Sequence, residues 1–190
     1  RANMSSTRAY FHAKQSPRHY ATWQSVVDMC HRRLGWPVPT WSADGLAGDV
    51  RLPEVDEALR WKLSEEGDEF LVTWTEQIWA CDECRGLTSL LAETSYRLGV
   101  RLGRTTISGF DTAVFDEELG GAVSALHWFQ FFGPSIASRW NLARLKAGPF
   151  TNVTDFIDGS VAIEVGSGPF MLADLRAPSS YLGVVTRRRA

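Results

Sequence analysis

The chain has 190 residues, a formal net charge of −2 and 44% hydrophobic residues, which is ordinary for a folded globular protein. This length predicts a single domain over residues 1–190 with one substantial core. No apolar run approaches the roughly 18 residues of a membrane-spanning helix, and the balanced charge offers no basic stripe for nucleic acid. Neither a membrane nor a nucleic acid is therefore expected as a partner.

The ends of the chain and its cysteines bear on the compartment. Residues 1–3 precede Met4 and are interpreted as a cloning remnant, residues 187–190 as a frayed tail, and no apolar leader segment follows Met4. The three cysteines, Cys30, Cys81 and Cys84, are too few and too odd in number for a disulfide scaffold. A reducing, cytoplasmic compartment is therefore expected.

The first third of the chain predicts a short strand and then a helix. Residues 9–13 fit the strand, and Ser16 and Pro17 fit the cap and first position of a helix that ends at Gly35. One apolar stripe at steps of three and four supports this helix: Tyr20, Trp23, Val27, Cys30 and Leu34. Residues 36–49 form a loop, in which Trp36 and Trp41 either close over the core edge, the favoured interpretation, or contact a partner.

The middle of the chain is harder to interpret. Residues 53–65 predict a helix with Val55, Leu59 and Leu63 on one face, and residues 69–79 predict a strand by alternation. Residues 85–103 fit either a helix or a strand, and their Thr, Ser and Tyr content favours strands for part of the segment. Residues 111–121 are acidic and predict a loop, whereas residues 122–132 are too apolar for a surface loop.

The last third gives clearer signals. Ser135 follows Gly133-Pro134 and predicts a capped helix through Lys146, with a buried face of Ile136, Trp140, Ala143 and Leu145. Residues 150–166 predict a hairpin that turns at Asp158-Gly159, and residues 172–185 a closing helix broken near Pro178. The mixed order of elements predicts an α+β fold, a mainly antiparallel sheet with helices packed on one face.

Motifs for catalysis and metal binding are weak. Cys81-Asp82-Glu83-Cys84 has the spacing of zinc and thiol redox sites, but a zinc site needs a second ligand pair. The neighbours Cys30 and His31 would point about 100° apart on a helix, so ordinary thiols are favoured. No paired-histidine zinc motif or phosphate-binding loop occurs, and Ser167 lies outside a nucleophile elbow. No catalytic residue, metal or cofactor is therefore expected.

Acidic residues concentrate in one segment. Residues 54–83 hold ten acidic residues against Arg60 and Lys62, a local balance of −8. This segment is either a solvated face or a face that steers a basic partner, since complementary charge accelerates association. Together with nearby tryptophans it supplies the candidate partner-binding residues Trp41, Glu65, Glu66, Asp68, Glu69, Trp79, Asp82 and Glu83.

Three stretches together resemble a known class of protein. They are "AYFHAKQSPRHYATWQSVVDMCHRRL", "FQFFGPSIASRWNLARLKAGPF" and "VTDFIDGSVAIEVGSGPF", in the first and last thirds of the chain, with residues 40–120 outside the resemblance. Their order resembles small cytosolic immunity proteins that bacteria encode beside polymorphic or type VI secreted toxins. The resemblance implies a non-enzymatic protein that binds and neutralises one cognate toxin, and it transfers no binding residue.

Other functions stay open. One alternative is an enzyme of unrecognised type or a zinc or thiol protein that uses Cys81 and Cys84, and another is a structural or scaffold subunit. A homo-oligomer is also compatible with the sequence.

Overall fold

The computed structural model describes residues 8–52, 55–75, 86–107, 128–166 and 176–186. Its strands are β1 Arg8–Lys14, β2 Thr40–Trp41, β3 Ala47–Leu52, β4 Val55–Leu63, β5 Glu69–Thr75, β6 Leu102–Ile107, β7 Phe129–Phe132, β8 Asn152–Asp155 and β9 Val161–Glu164. Its helices are a 3-10 helix Pro17–Thr22 and α1 Trp23–Arg33, α2 Leu87–Arg97, α3 Pro134–Ala137, α4 Leu142–Lys146 and α5 Arg176–Thr186.

All nine strands belong to one sheet with the order β2-β3-β4-β5-β1-β6-β7-β9-β8. Every neighbouring pair is antiparallel. Strand β1 is central because β5 and β6 pair with it on opposite sides along most of its length. The expected α+β fold with a mainly antiparallel sheet is confirmed.

The larger core cluster lies on one face of the sheet beneath α1 and α2. Alternate residues of the strands supply it, including Phe11, Trp61 and Phe70, and α1 adds Trp23, whose ring centroid lies 5.2 Å from that of Phe70. Each of these four side chains is at most 1% exposed. This aromatic layer explains most of the high Trp and Phe content of the sequence as core packing.

A second core cluster uses the intervening residues of the strands at one end of the sheet. Leu102, Phe132 and Ile163 belong to it, whereas Phe131 and Ala162, which precede Phe132 and Ile163, belong to the first cluster. The helices α3, α4 and α5 cover this opposite face through Ala137, Leu145 and Leu182. Helices thus lie on both faces at this end of the sheet. The alternation of residues along the strands does not by itself predict that helices cover both faces.

The predicted helix over residues 53–65 is wrong, because residues 55–63 form strand β4. Leu59 and Leu63 are four apart, a spacing that suits one face of a helix and equally one face of a strand. Trp61 distinguishes the strand from the helix because it is fully buried between Leu59 and Leu63, whereas Arg60 and Lys62 are exposed. Pairing of β4 with β3 and β5 satisfies its backbone on both edges.

The preference for strands within residues 85–103 is also wrong for most of that segment. Residues 87–97 form helix α2, which buries Leu87, Leu90, Leu91 and Thr94 at helical spacing. Strand β6 begins only at Leu102. The Thr and Ser content of this segment therefore does not indicate a strand, because Thr94 and Ser95 are buried helix residues that pack toward the core.

The first predicted helix is confirmed in extent but starts differently. Residues 17–22 form the 3-10 helix, and Ser16 makes no side-chain capping bond there. In α1, Trp23, Val27 and Cys30 are buried as predicted, whereas Tyr20 and Leu34 lie at the exposed ends of the stripe.

The predicted helix from Ser135 to Lys146 is divided into α3 and α4. Gly133 rather than Ser135 precedes α3, and Asn141 caps α4 by accepting a hydrogen bond from the Arg144 amide. Because of this break Ala143 is exposed rather than buried.

The predictions for the last hairpin and the last helix agree better with the structure. The hairpin of β8 and β9 turns at Asp158 and Gly159 as predicted, with a φ of 89° at Gly159. The closing helix is α5 over Arg176–Thr186, and Pro178 lies in its first turn, where it does not break the helix.

In the described part of the chain, no helix is both long and apolar enough for a membrane span.

Candidate functional site

The turn that joins β4 to β5 carries four of the predicted partner-binding residues. Glu65, Glu66, Asp68 and Glu69 follow one another around it, interrupted by Gly67. Glu65 and Glu66 are exposed at the tip, whereas Asp68 and Glu69 are half-buried at its base. The structure therefore brings these four residues together, and it separates them into two exposed and two anchored carboxylates.

Ser64 holds the base of this turn in one conformation. Its hydroxyl donates to Asp68 Oδ1 at 2.9 Å and accepts from the Glu69 amide at 3.2 Å. Its backbone amide donates to the Glu69 carbonyl, and its carbonyl accepts from the Gly67 amide. Glu69 is held in addition by His12, whose Nε2 lies 2.9 Å from Glu69 Oε2. The anchored carboxylates thus have structural roles.

Gly67 fits the turn tightly against the first helical segment. Its φ is 74°, which favours glycine, and a Cβ atom there would lie 2.4 Å from Cδ2 of Tyr20. Gln15 joins the turn from the other side, since its backbone amide donates to the Asp68 carbonyl at 2.7 Å. The tip with Glu65 and Glu66 is therefore presented on a fixed backbone.

A groove of about 590 Å³ lies beside this turn. Three basic residues line it, Lys14, Arg18 and Arg101, with Asp68 and Glu69 on the turn side. The Arg101 amide donates to the Lys14 carbonyl at 2.8 Å, which joins the loop after α2 to β1. The acidic segment of the sequence therefore faces nearby cations in space, and the surface has mixed charge with an acidic tip.

Gln15 lies at the floor of the groove. It is 6% exposed, and its Nε2 donates to the Gly67 carbonyl at 3.3 Å. Its Oε1 has no hydrogen-bond partner in the described structure. Sequence reasoning missed Gln15, Arg18 and Arg101, and no local signal could have found them, because tertiary packing alone brings them to the turn.

The other predicted contact residues lie elsewhere. Trp41 is half-buried at the margin of the first core cluster, where its Nε1 donates to Asp28 Oδ1 at 2.9 Å and its ring packs on Gly48. Trp36 is 6% exposed within the same cluster. The positions of Trp36 and Trp41 agree with the interpretation that these tryptophans close over the core edge. Trp79, Asp82 and Glu83 lie outside the described residues.

The described residues bring together no three His, Cys, Asp or Glu side chains suited to hold a metal ion. Cys30 is fully buried, and burial raises the pKa of its thiol, an effect that the neighbouring Thr94 side chain partly offsets. The thiol pair Cys81 and Cys84 lies outside the described residues.

Comparison with known proteins supports the fold assignment. No protein-family model matches the chain, and no curated protein matches it at a significant level. Among solved structures, the Pseudomonas aeruginosa T6SS (type VI secretion system) protein PA0821 is similar, with a TM-score of 0.51 and 11% sequence identity. The similarity covers 95% of this chain and 75% of that chain. At this identity the similarity shows a shared fold.

Proposed function

We propose that this chain is a non-enzymatic binding protein that neutralises a cognate bacterial toxin by covering its active site or another surface. The observation that carries the proposal is the fixed β4–β5 turn, which presents two exposed carboxylates that no described contact engages. The fold shared with a T6SS protein and the resemblance to immunity proteins support a role beside a secreted toxin.

The physical case for binding rests on preorganisation and charge. A turn already fixed by Ser64, Gln15 and Tyr20 loses little conformational entropy when a partner docks. The exposed pair Glu65 and Glu66 would steer a basic surface toward the turn and mainly raise the association rate. A nuclease toxin has such a basic surface, because its cleft must bind phosphates.

Charge reversal at the tip tests this proposal. The partner would first be captured with the tagged protein from the native bacterium and identified by mass spectrometry. The double variant Glu65→Lys/Glu66→Lys is expected to slow association with it by about tenfold or more at low salt and to flatten the salt dependence. Asp68 and Glu69 are kept, since they hold the turn.

A matched control separates local steering from net charge. Asp49→Lys, compared with the single variant Glu66→Lys, makes the same change of charge at a position 55% exposed on β3, away from the turn. This control is expected to change association by less than about threefold, as for charges beyond a Debye length from the interface. Equal slowing by Glu66→Lys and Asp49→Lys, or no slowing by the double variant at the tip, would remove the turn from the proposed interface.

A further inference from the structure

A second concave site lies on the first-cluster face of the sheet, between α2 and the β8–β9 hairpin. The cavity holds about 220 Å³. Thr88 and Glu93 of α2 form one wall, Phe129 of β7 the floor, and Phe156 and Glu164 the hairpin side. This volume is below the range of about 300–1,000 Å³ typical of cofactor and drug-sized ligands, so the cavity suits one side chain or a similarly small group.

Glu164 is the chemically distinctive residue of this cavity. In the sheet it lies between Phe129 of β7 and Asn152 of β8, so its side chain shares their face. Burial raises the pKa of its carboxyl, and a hydrogen bond with Thr88 partly offsets that effect. A carboxylate offers about four acceptor positions, and one hydroxyl leaves most of them for a donor that enters the cavity.

The other carboxylate of the cavity is already neutralised. Glu93 Oε1 accepts from Arg97 Nε at 3.1 Å and lies 3.6 Å from Arg33 Nη1. Glu164 therefore sets the charge that the cavity offers to a ligand. An anion would be repelled there, whereas a cation would be attracted and would supply the missing hydrogen bonds.

The remaining walls favour a planar cation on an apolar stem. Phe129 and Phe156 supply aromatic surface, and Asn152 and Thr154 supply side-chain oxygens beside Glu164. A guanidinium can stack on such rings and donate several hydrogen bonds in one plane, which an ammonium cannot do as well. Arginine is therefore the side chain that fits this set of groups best.

The rim of the cavity has the character of a contact surface. Leu34, which lines the cavity on the α1 side, is 38% exposed. Phe156 itself is fixed, since its ring stacks on Tyr96 with centroids 4.7 Å apart. Such apolar surface beside a polar cavity matches the arrangement in which a central anchor is shielded from water by neighbouring contacts.

We infer that this cavity receives one arginine side chain of the protein partner, with its guanidinium on Glu164 and its stem along Phe129 and Phe156. The inference rests on the proposed function in so far as a protein partner carries the arginine. It adds an anchoring site to the acidic turn, because a buried charged anchor mainly slows dissociation whereas the turn accelerates association.

A titration with ethylguanidinium tests the cavity without any partner. The full chain is expected to show saturable amide shifts at Thr88, Ser89 and Glu164 in proton–nitrogen NMR spectra. Glu164→Gln keeps the size of the side chain but removes its charge, and it should weaken the binding at least tenfold. Asp49→Asn on the other face of the sheet should leave the binding unchanged. Unsaturable shifts, or equal binding by Glu164→Gln with a native spectrum, would overturn the inference.

The captured partner then tests whether the ligand is its arginine. Glu164→Gln should raise the dissociation rate of the complex at least tenfold and leave the association rate nearly unchanged. Ethylguanidinium binding combined with unaltered dissociation of the partner would overturn the assignment to a partner arginine and indicate a free guanidinium compound. Capture of no partner would count against the proposed function alone, since the titration needs only the isolated chain.

Discussion

At the scale of single residues, His31 shows how a buried polar group fixes the core. It is fully buried in α1, with Nδ1 2.7 Å from the Pro37 carbonyl and Nε2 3.0 Å from Trp61 Nε1. A carbonyl only accepts and an indole only donates, so Nδ1 carries the proton and Nε2 accepts. The imidazole is therefore neutral, and burial lowers its pKa to about 4.

This geometry predicts a loss of stability in mild acid. The pKa of His31 is about 4 in the folded state, against an ordinary value of 6.5, so the unfolded chain binds more protons between these values. The free energy of unfolding should fall by about 3 kcal/mol through this residue as the pH drops from 6.5 to 4. Urea denaturation at a series of pH values would measure the fall.

The variant His31→Gln separates the contribution of His31 to the free energy of unfolding from that of acidic residues that titrate in the same pH range. Glutamine can donate to Pro37 and accept from Trp61, but it does not titrate. The variant should lose about 1–3 kcal/mol at pH 7 and show a shallower decline between pH 6.5 and 4. Two parallel pH profiles would show that His31 is not the source of the acid sensitivity.

The sequence predicts such residue roles only in part. The favoured interpretation of Trp36 and Trp41, that they close over the core edge, agrees with the structure. The role of His31 does not follow, because its partners Pro37 and Trp61 come from a loop and a strand. Its position four residues after Val27 on the same helix face was the available local signal. Glu164 was equally hidden, since alternation in β9 shows its face but not the cavity above it.

At the scale of elements, the β4–β5 turn depends on the close approach of Gly67 to the 3-10 helix. A Cβ atom at Gly67 would meet Cδ2, Cβ and Cγ of Tyr20 at 2.4, 3.1 and 3.2 Å. Cβ and Cγ lie at the root of the Tyr20 side chain, so a simple rotation of the ring cannot relieve the overlap. The turn and the 3-10 helix are therefore packed as one unit.

Gly67→Ala is expected to destabilise the protein more than its backbone conformation alone requires. Gly35 supplies the control, since its φ of 75° equals the 74° of Gly67 but nothing lies within 4 Å of its would-be Cβ. Gly35→Ala should cost about 1–2 kcal/mol through φ alone, and Gly67→Ala a further 1–3 kcal/mol or so through overpacking. Urea denaturation gives the free energy of unfolding of both variants. Equal losses would show that Tyr20 moves away from the added methyl group without a cost in stability.

Elements were predictable where one period dominates the sequence. Strands β1 and β5, helix α1 and the β8–β9 hairpin were predicted from their own residues. Strand β4 was not, because Leu59 and Leu63 satisfy both periods and only pairing with β3 and β5 selects the strand. Helix α2 was obscured by Thr and Tyr, whose strand preference is weaker than the gain from burying Leu87, Leu90 and Leu91.

At the scale of the whole molecule, one sheet serves two core clusters. Adjacent residues of β7 separate them: Phe131 packs toward Phe156 in the first cluster, with ring centroids 5.8 Å apart, and Phe132 packs on Trp140 in the second at 4.9 Å. Because β7 and β9 contribute to both clusters, neither core can be lost without disturbing strands of the other. The prediction of a single domain is tested at this scale.

Phe131→Ala and Phe132→Ala should therefore lower one common unfolding transition. Each ring is at most 1% exposed, so each truncation should cost about 3–5 kcal/mol. Amide hydrogen exchange in denaturant would compare the slowest amides of β4, beneath the first cluster, with those of α5 above the second. Both sets should lose protection equally in either variant, since a shared sheet couples the clusters. Loss confined to α5 in Phe132→Ala would show that the second cluster opens separately, and the chain would then consist of two folding units joined through β7.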